Sequence, residues 1–493
     1  LNFSSLQFRR KSGSKSPRRV ETGLLESAGD YTHRKAEASR SPEAARSLQL
    51  LQGDPQATEI GVPQLPLRLP TEFAGLDDTG STPADCQVAA SADRLVVIVN
   101  SALGVFDRAG RQHFRCHLSD LFSRLVADAA IFSTRVVYDQ FRGGWAVSAC
   151  ARSLDGQQSW FLLAYSQTEN PLGDWWLWAL DARLDGGLKT GHQADSLGMA
   201  VDNSSLYLTA NMFAGNGQFR YAKLRVLNKK ELQMGGVLHG WDFWELRNVD
   251  GSPAFGVQPA VNLRAAGQQY LLNATSDGQG MTLWSFSQPP RQNPTLSRRF
   301  IPAVSFQLAP NAKQPLTDTE IRTGDTRLGA VIFRHGLLWA AHTIAANWGD
   351  DENVAAIQWF QINPRAGCVL QQGIYGAPHY HYFSPAVMVD GEGNLTMVFN
   401  RSGETEFPSI RFTGRRSSDD PGTLQPSSLL QRGTSTETAD WGAFSGAAIA
   451  PDDPNVWIIG QYAATDNDWA TWIGALKFDE IEDLLYDKNA VAA

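Results

Sequence analysis

Basic residues, paired cysteines and long apolar runs are scarce in this chain. Its 493 residues carry 43 Lys and Arg against 51 Asp and Glu, a formal net charge of −8. A chain with that balance lacks the basic face that neutralises phosphates, which argues against a general nucleic-acid binder. The four cysteines, Cys86, Cys116, Cys150 and Cys368, form no C-x-x-C pair, so neither a zinc ribbon nor a redox motif is supported, while a disulfide stays open. No apolar run reaches the roughly 20 residues of a membrane-spanning helix. The G-x-S-x-G, H-E-x-x-H and P-loop patterns are absent, and with them the sequence signals of three common enzyme classes. Helix signals are sparse as well.

What the chain has in quantity is aromatic side chains, including 15 Trp, and one repeated hairpin. In Ser384 to Asn400 (SPAVMVDGEGNLTMVFN), Val387 and Val389 alternate with their neighbours at strand period. Asp390-Gly391-Glu392-Gly393 supplies a turn, and Leu395, Met397 and Phe399 resume the alternation. Its second strand recurs as LVVIVN, WAVSAC, LYLTAN, YLLNAT, LLWAAH and VWIIGQ. These copies close on Asn100, Cys150, Asn211, Thr275, His342, Asn400 and Gln461, about 50 to 67 residues apart, the period of a four-stranded blade. A first strand precedes five copies: LGMAVD, QPAVNL, LGAVIF, SPAVMVD and SGAAIA, each with Gly or Pro second. Innermost strands crowded around an axis demand small side chains there, so the pattern predicts an all-β propeller of seven blades of four antiparallel strands.

One domain then accounts for residues 59–480, with 481–493 as a tail. Residues 1–58, rich in Ser, Arg, Lys and Glu, read as a disordered arm or targeting remnant that packs on nothing. The last blade ends after ATWIGALKF (Ala470 to Phe478), so the segment around Glu59 to Pro70 is expected to supply its fourth strand and close the ring with strands from both termini. The chain begins at Leu1; a leader outside it and an extracellular or periplasmic location are the expectation. The protein is expected to be a monomer.

First-strand starts and second-strand ends surround one mouth of the central channel. They offer Asp195, Asp325, Arg327, Tyr382, Asp440 and Trp441 from the starts, with Asp85, and Asn100, Asn211, His342, Asn400 and Gln461 from the ends, with Arg401 just beyond. Amides and carboxylates bond hydroxyl groups while Trp and Tyr stack on apolar ring faces, so these twelve residues, Asp85 aside, are the candidate ligand-binding set. Recurring amides at one repeat position also suit a brace between blades. His379 and His381 fall on one face of an extended strand. With no acidic or Cys partner near in sequence they carry no metal assignment, and the turn Pro451-Asp452-Asp453-Pro454 lacks the oxygen spacing of a calcium loop. No cofactor is assigned.

Ser153-Leu154-Asp155-Gly156-Gln157-Gln158-Ser159-Trp160 resembles the Asp box, S-x-D-x-G-x-[ST]-W, of sialidases and related propellers, with its Gly one place early, and Thr275 to Trp284 is a looser echo. In that family the box braces a hairpin and takes no part in catalysis. Over roughly residues 75 to 475 the chain also resembles a group of bacterial exported propellers, through ENPLGDWW, LYLTANMF and DWGAFSGAAIAPDDPNVWIIGQYA. Ala443-Phe444 stands where that group has Asp-Tyr. The resemblance implies the fold and no defined activity.

Three functions follow. The first is a non-enzymatic propeller that binds a glycan or other extracellular polymer at the channel mouth. The second is a sialidase-like glycoside hydrolase, in which Arg135, Arg327 and Arg401 clamp a carboxylate while Tyr382 and an Asp do the chemistry. The third is a scaffold for a protein partner.

Overall fold

Strand alternation in the repeated hairpins places one row of side chains against each neighbouring hairpin, and the sheets assemble accordingly. The computed structural model describes residues 18–19, 28–41, 50–55, 67–77, 79–287, 294–349, 352–437, 441–451, 453–464 and 468–479. Among them, seven sheets hold four or more strands. Sheet one contains Gln87–Ala90, Arg94–Val99, Ala102–Asp107 and Gln112–His117; sheet two Ala130–Asp139, Gly144–Arg152, Ser159–Ser166 and Trp175–Asp181. Sheet three contains Gln193–Val201, Ser205–Phe213, Phe219–Asn228 and Gly240–Phe243; sheet four Gln258–Pro259, Gln268–Ala274, Gly280–Ser287 and Leu296–Pro302. Sheet five is built on Val331–Arg334, Leu337–Ala346, Val354–Asn363 and Cys368–Gly376, and sheet six on Tyr380–Val389, Leu395–Gly403, Glu406–Arg415 and Ser428–Gln431. Sheet seven joins Gly446–Ile449, Val456–Ala463 and Trp469–Phe478 to Leu67–Asp77.

The last sheet closes the ring. Trp469–Phe478 pairs with Val456–Ala463 on one side and with Leu67–Asp77 on the other, so a strand from the N-terminal part completes the blade. Phe106, Val97, Trp457 and Ile473 then form one apolar cluster between sheets seven and one. One residue from each innermost strand, Ala89, Val137, Met199, Pro259, Ile332, Met388 and Ala448, borders a single central channel of about 90 Å³. Trp145, Trp175, Trp359 and Trp457 fill the wider gaps between blades and are fully buried, as the outward splay of radial sheets requires. All four cysteines are free thiols. Among the described residues no helix is long and apolar enough to cross a membrane.

The small residues of the first strands have the packing reason expected of them. A Cβ on Gly198 would lie 2.4 Å from Thr209 Oγ1 and 2.7 Å from Pro259 of the next sheet. One on Gly329 would lie 2.4 Å from the Pro385 carbonyl oxygen, and one on Gly446 would lie 2.9 Å from Gln87 Cα. Gly329 and Gly446 thus receive the backbone of the next blade, and Gly198 the side chains of Thr209 and Pro259. The turn at Ser153–Ser159 is braced from within: Ser153 Oγ donates to Asp155 Oδ1 (2.5 Å), which also accepts from Gln157 N, and Gln158 N donates to Ser153 Oγ.

The expected free arm is corrected. Residues 28–41 and 50–55 pack on the propeller, while the other residues of 1–58 and the tail 481–493 lie outside the described residues. Helix α1 (Ala28–Ala38) sets Tyr31, Lys35 and Ala38 on one face, all buried. Asn353 satisfies its terminal carbonyls, donating from Nδ2 to Ala38 O (2.7 Å) and Ser41 O (2.8 Å), groups that a helix end leaves without intrahelical partners. Leu51–Gly53 adds a parallel strand to the outer edge of sheet five. Composition hid both contacts, because one tyrosine, one lysine stem and a few hydrogen bonds anchor a segment that is polar on average.

Replacing Gly329 by Ala tests the crowding at the axis. The new methyl would meet a backbone carbonyl that cannot swing aside, and overpacking of this kind costs roughly 1–3 kcal/mol. A urea titration should show a lower midpoint at unchanged slope; an unaltered midpoint would mean that the inner strands are not under this constraint.

Candidate functional site: the channel mouth

The mouth is built on three β-bulges. The innermost strands of sheets two, three and six slip register against their partners at Ser148/Cys150, Asp195/Gly198 and Phe383/Ala386. At the slips Ser133, Ser196 and Ser384 take φ of 52°, 56° and 53°, and Asp85, just before sheet one, takes 48°. Left-handed φ costs a non-glycine residue about 1 kcal/mol or more, and side-chain bonds across the blades hold these residues there. Ser133 Oγ accepts from Leu197 N (2.7 Å), Ser384 Oγ donates to Gly442 O (3.1 Å), and Ser196 Oγ accepts from Arg327 Nη1 (2.5 Å).

Charges converge on this rim. Arg327 clamps Asp325 with Nε at 2.7 Å and Nη2 at 2.5 Å and lies 5.0 Å from the Phe255 ring. Burial alone would raise the Asp325 carboxyl, but the Arg327 guanidinium holds it below its usual range. Asp195 accepts from Ser196 N and adds its field to Arg327. Asp85 is buried, accepting from Asn100 Nδ2 (3.0 Å) and Ala443 N (2.7 Å), and burial raises its carboxyl despite those bonds.

Arg135 is the exception among these groups. It is 6 % exposed, Nη1 donates to the Thr134 carbonyl, and the Phe444 ring lies 4.1 Å from its Cζ. Nη2 has no partner, no carboxylate comes within 4 Å of the guanidinium among the described residues, and burial lowers its pKa to about 10. By contrast the buried Lys223, Lys229, Arg225 and Arg401 each hold a carboxylate. Further unpartnered polar atoms belong to the same rim and channel: Asn211 Nδ2, Gln258 Nε2, Ser445 Oγ, and both Oε1 and Nε2 of Gln461. Buried polar groups are nearly always satisfied by protein or water; unpartnered atoms occur between blades as well, among them the indole nitrogens of Trp348, Trp359 and Trp457.

The expected twelve residues therefore divide. Asn211, Gln461, Asp195, Asp325 and Arg327 belong to the mouth. Asn100 spends its Nδ2 on Pro83 O and Asp85, beside the rim, and keeps its Oδ1 unpartnered. Asn400 bonds Ser409 O and Gln461 O and accepts from the Trp441 indole, so Asn400 and Trp441 brace blades six and seven. His342 is fully buried, bonded to Thr326 O (2.7 Å) and Gln358 Oε1 (3.1 Å), and burial lowers its pKa. Asp440 lies outside the described residues.

Tyr382 and Arg401 are corrections. They lie in the seam between sheets five and six, where the Tyr382 hydroxyl donates to Asp54 and Arg401 pairs with Glu406. A strand alternates its faces, and the bulge at Phe383/Ala386 moves Tyr382 out of step with the channel-facing positions beyond it. Tyr382 is 0 % exposed and burial raises its phenol far above its ordinary value. The three arginines do not converge: Arg135 and Arg327 feel each other's field, whereas Arg401 is held in the seam. Sequence reading missed Ser133 and Ser196 as rim residues, since nothing in a lone serine announces a bulge. It also missed the roof. Tyr31 of α1 donates to Gly324 O (2.8 Å) and covers a cavity of about 40 Å³ bounded by Asp325, Arg327, Ser384, Trp441 and Phe444. Among the described residues no group of three His, Cys, Asp or Glu could hold a metal ion.

No protein-family model matches the sequence, and no curated protein matches it. Solved structures with a similar arrangement include a Trypanosoma rangeli sialidase in complex with the inhibitor DANA, at 10 % identity and TM-score 0.35, covering 86 % of this chain and 62 % of that one. A Dyadobacter fermentans protein of unknown function, at 9 % identity and TM-score 0.37, is covered over 100 % of its length by 85 % of this chain. The GH93 alpha-L-arabinofuranosidase of Fusarium graminearum, in complex with arabinobiose, is similar at 8 % identity and TM-score 0.36, covering 79 % of this chain and 92 % of that one. Identities of this order transfer no residue roles.

Docking of α1 is expected to depend on pH. Lys35 Nζ donates to Ala309 O (2.8 Å) and Thr323 Oγ1 (2.6 Å). Burial lowers its pKa from 10.5 to about 7, with Asp325 and Glu320 opposing the shift and Arg34 adding to it. An undocked Lys35 binds its proton more tightly than a docked one, so docking strengthens as pH rises from about 7 toward 10 and is weakest below 7. Hydrogen exchange of the α1 amides, corrected for intrinsic rate, should show more protection at pH 9 than at pH 6, and Lys35→Met should flatten the trend. Protection that falls with rising pH would refute it.

Proposed function

We propose that this protein is a non-catalytic propeller that binds a hydroxyl-rich ligand, a glycan or similar polymer, at the channel mouth, in an extracellular or periplasmic setting. The observation that carries the reading is Arg135: a buried guanidinium without a carboxylate among the described residues, lining the channel with Gln258, whose Nε2 is unpartnered as are Asn211 Nδ2 and the Gln461 side-chain amide. Leaving such groups unsatisfied costs about 1–3 kcal/mol each, and ligand oxygens relieve that cost. The carboxylate of Asp325 accepts from ligand hydroxyls, and Phe444 and Tyr31 offer apolar faces. The cavity under Tyr31 admits a group the size of a hydroxymethyl, so a whole ring enters as α1 gives way.

A hydrolase is the second reading, and one observation favours it: burial raises Asp85 while Arg327 holds Asp325 low, the divergence that separates an acid from a base. Against it, Tyr382 and Arg401 are held in the seam, which removes the nucleophile and one clamp that the sialidase-like mechanism requires.

Arg135→Met separates binding from folding. Removing a buried unpaired charge should leave the melting temperature unchanged or higher, while affinity for a ligand found on a glycan array falls at least tenfold, about 1.4 kcal/mol. Binding that survives both Arg135→Met and Gln461→Ala would remove the mouth from the reading, and sugar released from any bound glycan would overturn the non-catalytic assignment.

A further inference from the structure

The histidine pair at the start of sheet six belongs to a second cavity, apart from the channel. His379 takes φ 67° in the turn before Tyr380–Val389 and stays exposed, whereas His381 lies within the strand and is 4 % exposed. Ala355 N donates to His381 Nδ1 (3.2 Å), so the ring proton sits on Nε2. Burial, with the Lys313 and Lys35 charges adding, pushes the pKa of this imidazole down to about 3, which keeps the ring neutral. Its Nε2–H meets no acceptor among the described residues and is not one of the enclosed unpartnered atoms, so it opens into the cavity that both histidines line.

That cavity measures about 270 Å³, near the lower bound of roughly 300 Å³ for small-molecule sites, and its walls are tied in place. Ser402 Oγ donates to the Lys313 carbonyl (2.8 Å), and Asn353 is bonded to the end of α1. Three carboxylates, Glu320, Glu352 and Glu404, line it against one ammonium. Lys313 bridges Glu352 (2.9 Å) and Glu404 (3.1 Å), while Glu320 joins no ion pair among the described residues. Burial on the cavity side raises the Glu320 carboxyl, with Lys313 opposing the shift and Glu352 adding to it. Asn311 Oδ1, enclosed in the same lining, has no partner among the described residues. An excess of negative charge, a spare acceptor and one neutral N–H donor therefore face the same space, and each is costly to leave unmet.

We propose that this cavity binds a small primary amine that also carries a hydroxyl or carbonyl oxygen, an amino sugar being the form that meets both requirements. The ammonium is taken by the Glu320 carboxylate and Asn311 Oδ1, and the ligand oxygen accepts from His381 Nε2–H. An organic cation fits where a metal ion does not: among the described residues no group of three His, Cys, Asp or Glu could hold a metal, whereas Lys313 already seats an ammonium between two of these carboxylates. The cavity shares no lining residue with the channel or with the space under Tyr31, so binding here does not require binding at the mouth.

Isothermal titration of the full-length chain with protonated glucosamine, N-acetylglucosamine, glucose and butylamine tests the site. Glucosamine is expected to bind at least tenfold more tightly than N-acetylglucosamine and glucose, which lack the charge, and at least tenfold more tightly than butylamine, which lacks the oxygen. Glu320→Gln, a change at an exposed position, should weaken glucosamine tenfold or more, and Arg135→Met should leave it unchanged. His381→Phe should bring glucosamine down to the level of butylamine; where that variant does not fold, the butylamine comparison tests the same donor in the wild-type chain. Absence of glucosamine binding, equal affinity for glucose or butylamine, or binding that survives Glu320→Gln or a folded His381→Phe overturns the proposal. Binding lost in Arg135→Met and kept in Glu320→Gln would place the sugar at the channel mouth and overturns it as well.

Discussion

Everything in this structure answers to the crowding of seven strands around one axis. At three positions where the sheets meet not even a methyl has room: Gly198 lies against the side chains of Thr209 and Pro259, and Gly329 and Gly446 take the backbone of the following blade. The same crowding leaves each inner strand too close to its neighbours to run straight into the mouth. The bulges at Ser133, Ser196 and Ser384 turn the strands aside and aim polar groups across the gaps. Crowding at the axis thus produces both the stiffness of the ring and the polar rim, because the backbone irregularity that relieves one exposes the other.

Buried charge is handled in two ways. In the seam of sheets two and three, Lys229 meets Asp139 at 2.9 Å and Lys223 meets Asp185 at 2.9 Å, with Tyr165 and Tyr221 donating to the same two acids. These satisfied networks fix the relation of one blade to the next. At the mouth, among the described residues, Arg135 lacks an acid and the side-chain amide of Gln461 lacks a partner. Burial makes unbalanced polarity costly, which is the physical basis of the binding proposed at the mouth.

The repeat was legible because hydrophobic alternation is local: Leu95 to Asn100 and Val456 to Gln461 needed only their own side chains to be read as strands. A closing strand was expected around Glu59 to Pro70 because the last hairpin lacked a partner, and the strand that pairs there is Leu67–Asp77, which shares only residues 67–70 with that segment. Site residues were harder. Asn211 and Asn400 occupy equivalent repeat positions, yet one keeps an amide unpartnered and the other spends its amide on Ser409, Gln461 and Trp441. That difference arises from the neighbouring blade, which no window of sequence contains.

The sequence by itself determined the class of the fold, the number and spacing of the hairpins and the positions that had to be small, because each follows from alternation and turn chemistry within a few residues. Only the tertiary structure decided which polar side chains face the channel. A one-residue bulge reverses the facing of a strand, and it sent Tyr382 into a seam where Asp54, more than three hundred residues earlier, accepts its hydroxyl. The docking of α1 and of Leu51–Gly53 was decided there too, since a polar segment finds its place only when distant blades have already assembled the groove that receives it.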